Sequence, residues 1–89
     1  MIDLTTVTSP ERLHQLLASR LGFPSYYGRN WDAFDECIAD PQQSDMPSRL
    51  LLVGYGIMQI RLPADANLLL QCLAESAPST EVIFDDPTQ

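Results

Sequence analysis

The acidic residues of this chain crowd into one segment. Asp32, Asp35, Glu36 and Asp40 lie close together, and Asp45 follows shortly after. Carboxylates in such a group can act as general acids and bases, ligate a hard cation, or present an anionic face to a cationic partner. On a helix of about 3.6 residues per turn, Trp31, Phe34, Cys37 and Ile38 form an apolar stripe. Asp32, Asp35, Glu36 and Asp40 then occupy the other side, pointing outward. The pairs Asp32–Asp35, Asp32–Glu36 and Glu36–Asp40 repel by roughly 0.2–0.5 kcal/mol each. The helix N-terminus offsets part of this for Asp32 and little of it for Asp40. Only Arg29 supplies a cation nearby in sequence. Two readings stand: a solvated acidic face, or a docking surface for a cationic site. Three carboxylates on one helix rarely close a Mg²⁺ or Ca²⁺ site without ligands from elsewhere, so no metal is expected.

Immediately upstream is Tyr26-Tyr27-Gly28-Arg29-Asn30. A tyrosine pair beside an acidic patch offers large contact area with few rotors, as interface hot spots do. One of the two is expected to pack into the core instead. The other reactive side chains do not form a catalytic pattern. His14, the only histidine, sits between Leu13 and Gln15 with no Cys, Ser or Asp arranged to work with it, and is read as a partly exposed helix residue. Cys37 and Cys72 fall in no metal-ligand or redox spacing and are read as core thiols. Gly54-Tyr55-Gly56 lacks the further glycine and helix start of a nucleotide loop. No enzyme activity and no cofactor are expected.

The elements that must position the acids follow from pattern. Met1–Val7 is a strand, with Ile2 and Leu4 alternating against Asp3 and Thr5. Thr8 or Ser9 caps a first helix, with Glu11 closing a capping box on Thr8 and Pro10 in the first turn. Leu13, Leu16, Leu17 and Leu21 recur at helical spacing, and Gly22 then Pro24 end it. The acidic helix runs from about Asn30 to Ala39 and stops by Pro41, and a polar loop follows to Ser48. Leu50–Val53 is a continuous apolar run, the mark of a strand covered on both faces. Gly54–Leu62 is ambiguous between a helical turn and an extended piece. Pro63 and Asp65 introduce a last helix ending near Pro78, and Val82–Phe84 is the final strand. This order predicts an α/β sandwich: three parallel strands joined by helical crossovers.

A chain of 89 residues with 45% hydrophobic and 19% charged residues predicts a single folded domain over 1–89. Its 12 acidic residues face 5 basic ones, all arginine, for a formal charge of −7. That balance argues against nucleic-acid binding and against docking on anionic membranes; it favours a basic protein partner. The start, MIDLTTVTSPE, carries no signal-peptide pattern, and no apolar run reaches membrane-spanning length, so a cytoplasmic protein is expected.

Leu13-His14-Gln15-Leu16-Leu17 and the stretch Leu21 to Cys37, with YYG-x-N-x-D-A at its centre, resemble the barstar family, intracellular inhibitors of a secreted bacterial ribonuclease. The order of elements agrees along the whole chain. The resemblance implies a three-stranded parallel sheet with helices packed on it. It also implies that the second helix and the loop before it plug the ribonuclease active site, carboxylates standing in for substrate phosphates. Tyr26 then matches a contact tyrosine, Asp32 a contact aspartate, and Glu36 the central phosphate-mimicking aspartate. Three departures matter. Glu36 is one methylene longer than the family's aspartate, Asp35 replaces a tryptophan, and Pro41 opens a loop lacking the second contact tryptophan. A further acid from the last helix has no clear match, Glu75 being nearest. The expected function is an immunity protein that occludes a small basic toxin, most simply a ribonuclease other than barstar's own target. Its partner-binding residues would be Tyr26, Tyr27, Arg29, Asp32, Asp35, Glu36 and Asp40. The alternatives are a non-inhibitory acidic docking module for a basic protein, or immunity against a toxin that is not a ribonuclease.

Overall fold

In the computed structural model, which describes residues 1–25 and 27–85, the elements run β1 (Ile2–Asp3), α1 (Pro10–Leu21), α2 (Trp31–Ala39), β2 (Arg49–Val53), α3 (Tyr55–Arg61), α4 (Pro63–Ser76) and β3 (Glu81–Asp85). The strands form one parallel sheet in the order β1-β2-β3, with Ile2 opposite Leu52 and Leu52 opposite Phe84. Parallel neighbours require crossovers. Helices α1 and α2 make the first and α3 and α4 the second, so this is the predicted α/β architecture of three parallel strands and packed helices. The first strand is shorter than Met1–Val7, because after Leu4 donates to the Val53 carbonyl at 2.7 Å the chain turns back on itself, Val7 N–H reaching the Leu4 carbonyl at 3.2 Å.

Alternation along the strands decides which face meets the helices. Ile2, Leu4, Leu50 and Leu52 join one buried cluster with Leu13 and Leu17 of α1, Phe34 and Ile38 of α2, Met58 of α3, and Leu69 and Leu73 of α4. Among the described residues, the opposite face is only partly covered. Leu51 and Val53 are only half-buried and Ile83 is 39% exposed. The expectation that β2 is enclosed on both sides is therefore corrected: all four helices contribute to the same core, and the apolar run of β2 overstates its burial.

Helix starts follow their caps. Ser9, not Thr8, caps α1, its hydroxyl accepting from Arg12 N–H at 3.2 Å. With the cap one residue later, Glu11 does not sit where a capping box needs it; it pairs instead with Arg29 at 3.6 Å, both exposed. Asn30 caps α2, its side chain accepting from Ala33 N–H at 2.7 Å. The ambiguous stretch is helical, and Gly54 explains why. It sits at φ 75°, a left-handed turn from β2 directly into α3, and a Cβ there would collide with the Thr5 side chain. Gly54→Ala is accordingly expected to destabilise the fold by roughly 2 kcal/mol or more, from left-handed strain plus overpacking. A urea titration showing a lowered midpoint at unchanged slope would register it.

Candidate protein-docking site

Helix α2 carries the acids, and its tertiary neighbour is α4. Phe34 is fully buried, ringed by Phe23 at 5.7 Å and Trp31 at 5.2 Å between centroids, and anchors the helix on the core. Trp31 also bridges to α4: its indole N–H donates to Asp65 at 2.9 Å, while the Cys72 thiol lies 3.9 Å from the Trp31 carbonyl. These contacts fix the rotation of α2 about its own axis. That rotation in turn determines where each carboxylate points.

Glu36 and Asp32 are exposed. Asp35 is not fully outward, as the helical spacing suggested; it is half-buried and accepts a hydrogen bond from the Ser76 hydroxyl of α4. The cause is angular, since Asp35 borders the apolar stripe, and that border is the seam with α4. Asp40 serves the helix end. It occupies the C-cap, and its carboxylate accepts from Gln42 N–H and Gln43 Nε2, each at 2.9 Å. Those hydrogen bonds hold its carboxyl below the usual carboxylate range. Asp40 is thus committed locally and borders the acidic face rather than centring it.

Between α2 and α4 runs a cleft of about 190 Å³ lined by Trp31, Asp32, Asp35, Leu68, Cys72 and Glu75, with Gln71 between them. Three carboxylates line it beside the apolar side chains of Trp31 and Leu68, a composition suited to the aliphatic stem and charged head of an arginine or lysine. Asp65 at the start of α4 extends the acidic row past Trp31. Among the described residues, no cluster of His, Cys, Asp or Glu is placed to hold a metal ion, and no helix is long and apolar enough to cross a membrane. The sequence pointed only weakly to α4. Leu68 was legible in principle, because Leu68-Leu69-Leu70 is a run of which one helix face cannot bury every member.

The loop before α2 is built by side-chain packing. Tyr26 lies outside the described residues. Tyr27 is half-buried against Phe23, at 4.8 Å between ring centroids, and takes the core-facing role expected for one tyrosine of the pair. Arg29 adopts φ 54°, the left-handed turn that redirects the chain into α2. Its guanidinium leads back to Glu11 of α1, away from the α2–α4 seam.

His14 departs from the sequence expectation. It is 3% exposed, not partly exposed, with Nδ1 2.6 Å from the Tyr27 hydroxyl and its ring 4.5 Å from that of Trp31. Burial lowers its pKa below the usual histidine value, against a smaller opposing pull from Asp65. The sign for stability follows. The unfolded chain takes up the proton more readily, so His14 contributes fully above about pH 6.5 and that contribution is lost as pH falls through the lowered folded value. Thermal melts are expected to show a Tm that declines between pH 7 and 5, with His14→Asn flattening part of the decline. Cys37 and Cys72 are buried free thiols whose pKa values burial pushes up, as inert core thiols require.

A parallel three-stranded sheet with an acidic second helix set against the last one defines a class, and comparison with known families names it. The family model described as Barstar (barnase inhibitor) matches residues 1–84. This chain belongs to the barstar family. It is similar to "Putative ribonuclease inhibitor YrdF" of Bacillus subtilis (strain 168), with 33% identity over 76 residues that cover 85% of this chain and 81% of that protein.

Proposed function

We propose that this protein is a cytoplasmic immunity protein that inhibits a small, basic ribonuclease by filling its active site with α2. The observation that carries the reading is the acidic seam: Asp32, Asp35 and Glu75 line one cleft, with the solvated Glu36 one turn along from Asp32. Carboxylates on a helix held from behind by Phe34 and Trp31 reach a cationic active site with little ordering cost at the moment of binding. Glu36 enters the site in place of a substrate phosphate. The seam of Asp32, Asp35 and Glu75 takes a neighbouring arginine or lysine, Leu68 packing on its stem. Tyr26 and Tyr27 pack against the rim of the enzyme's active site, and Asp40 serves the flank.

The net charge of −7 adds long-range attraction to a cationic enzyme. The association rate is therefore expected to fall at least tenfold between low salt and 0.5 M, measured by stopped-flow fluorescence. Inhibition is occlusion without turnover, and competition tests it. A mononucleotide that binds the ribonuclease active site should slow complex formation in proportion to its occupancy. Complex formation indifferent to the mononucleotide would instead place α2 on a peripheral surface.

A further inference from the structure

One buried titratable side chain stands directly behind this surface. His14 projects from α1 to the Tyr27 hydroxyl at 2.6 Å, and that hydroxyl lies 3.5 Å from the carbonyl of Asn30, the residue that caps α2. The imidazole also lies 4.5 Å from the Trp31 ring, the side chain that bridges α2 to Asp65. One ring thus touches the loop, the start of the acidic helix and, through Trp31, the first turn of α4. No ion pair accounts for burying it: among the described residues, Tyr27 is its hydrogen-bond partner, and Asp65 acts on it only from beyond Trp31. The other titratable groups nearby are the Cys37 thiol of α2 and the Cys72 thiol of α4, which act on Tyr27.

We propose that His14 is a positioning residue of the docking site: through the Tyr27 phenol it fixes the Asn30 carbonyl, and with it the origin and direction of α2. The inference rests on the reading of α2 as the ribonuclease-binding helix. In the neutral Nδ1–H tautomer, the ring donates to the phenol oxygen and the phenol donates to the Asn30 carbonyl, so one relay joins α1 to the cap of α2. Protonation at Nε2 leaves the direction of that relay unchanged but puts a charge in an apolar setting. A cationic partner seated on α2 opposes that charge further, so the complex favours the neutral ring more than the free protein does. Binding therefore loses strength as pH falls below the ordinary histidine range.

The test measures inhibition constants of the wild type, His14→Asn and His14→Leu against barnase and other small basic bacterial ribonucleases from pH 8 to pH 5. Melting curves run in parallel. Asparagine can place its side-chain N–H donor where Nδ1 stands but does not titrate. At pH 8, His14→Asn is expected to inhibit within about threefold of the wild type, and His14→Leu at least tenfold more weakly. From pH 8 to pH 5, the ratio of the wild-type constant to the His14→Asn constant on the same enzyme should rise at least threefold. Taking the ratio cancels the enzyme's own titration. A flat ratio, or His14→Leu inhibiting like the wild type, overturns the positioning role while leaving the inhibitor reading intact. Should the leucine variant not fold, the pH ratio alone decides. Absence of inhibition by the wild type at every pH would overturn both.

Discussion

Replacing Glu36 by alanine is expected to raise the inhibition constant for the target ribonuclease by at least a hundredfold, while Asp45→Ala changes it by less than threefold. The asymmetry follows from position. Glu36 is exposed on the helix that borders the acidic cleft, whereas Asp45 sits beyond the helix in the following loop, its backbone N–H held by the Leu21 carbonyl at 2.7 Å. A carboxylate desolvated at the centre of an interface and paired with cations typically costs 2–5 kcal/mol when truncated, because the partner's charges remain buried and unpaired. A rim carboxylate alters mainly the association rate. Dissociation rates make the distinction: Glu36→Ala should release the enzyme much faster, and Asp45→Ala should not. Equal effects would contradict a centred plug.

Phe34→Ala carries the second large effect, on stability. Phe34 is fully buried, in edge-on contact with Phe23 and Trp31, and it seats α2 in the buried cluster shared by the sheet and the other helices. Truncating a buried phenylalanine costs about 3–5 kcal/mol. Domains of this size have only about 5–15 kcal/mol in total. The variant should therefore unfold at markedly lower denaturant concentration. Because Phe34 seats the acidic helix, whatever folded fraction remains should also bind less tightly, at an association rate little changed by the mutation. A loss below about 1 kcal/mol would show that α2 does not depend on this anchor.

How far these positions were legible in sequence varies with the physics that fixes them. The acidic helix was readable because Asn30, the apolar stripe and Pro41 agree on one element. The two crossovers were readable because apolar runs and caps alternate in βαβ order. Gly54–Leu62 was not, since two glycines around Tyr55 remove the periodic signal from a seven-residue helix. Only the left-handed Gly54, bent around Thr5, settles that stretch. His14 shows the opposite failure. It lies at helical spacing with Leu17 and Leu21, so its burial was visible in principle, but the groups that satisfy it arrive from Tyr27 and Trp31 on other elements. Asp35 was misdirected for a related reason. A helical spacing defines two faces but not the border where a second helix, here α4 through Ser76, turns an acid into a seam residue. Leu68 entered the site only through that seam, which also brings in Glu75, the nearest acid the resemblance offered from the last helix.

The central claim is that the acids of α2 occupy a ribonuclease active site. Its most direct test is a titration of this protein into barnase and related small basic ribonucleases, following cleavage of a fluorogenic RNA. The Asp35→Ala/Glu36→Ala double variant is run alongside at matched folding. The account predicts stoichiometric loss of cleavage of at least one enzyme with the wild type, and at least a thousandfold weaker inhibition by the double variant. Inhibition that survives both substitutions, or no inhibition of any enzyme in the set, would contradict it.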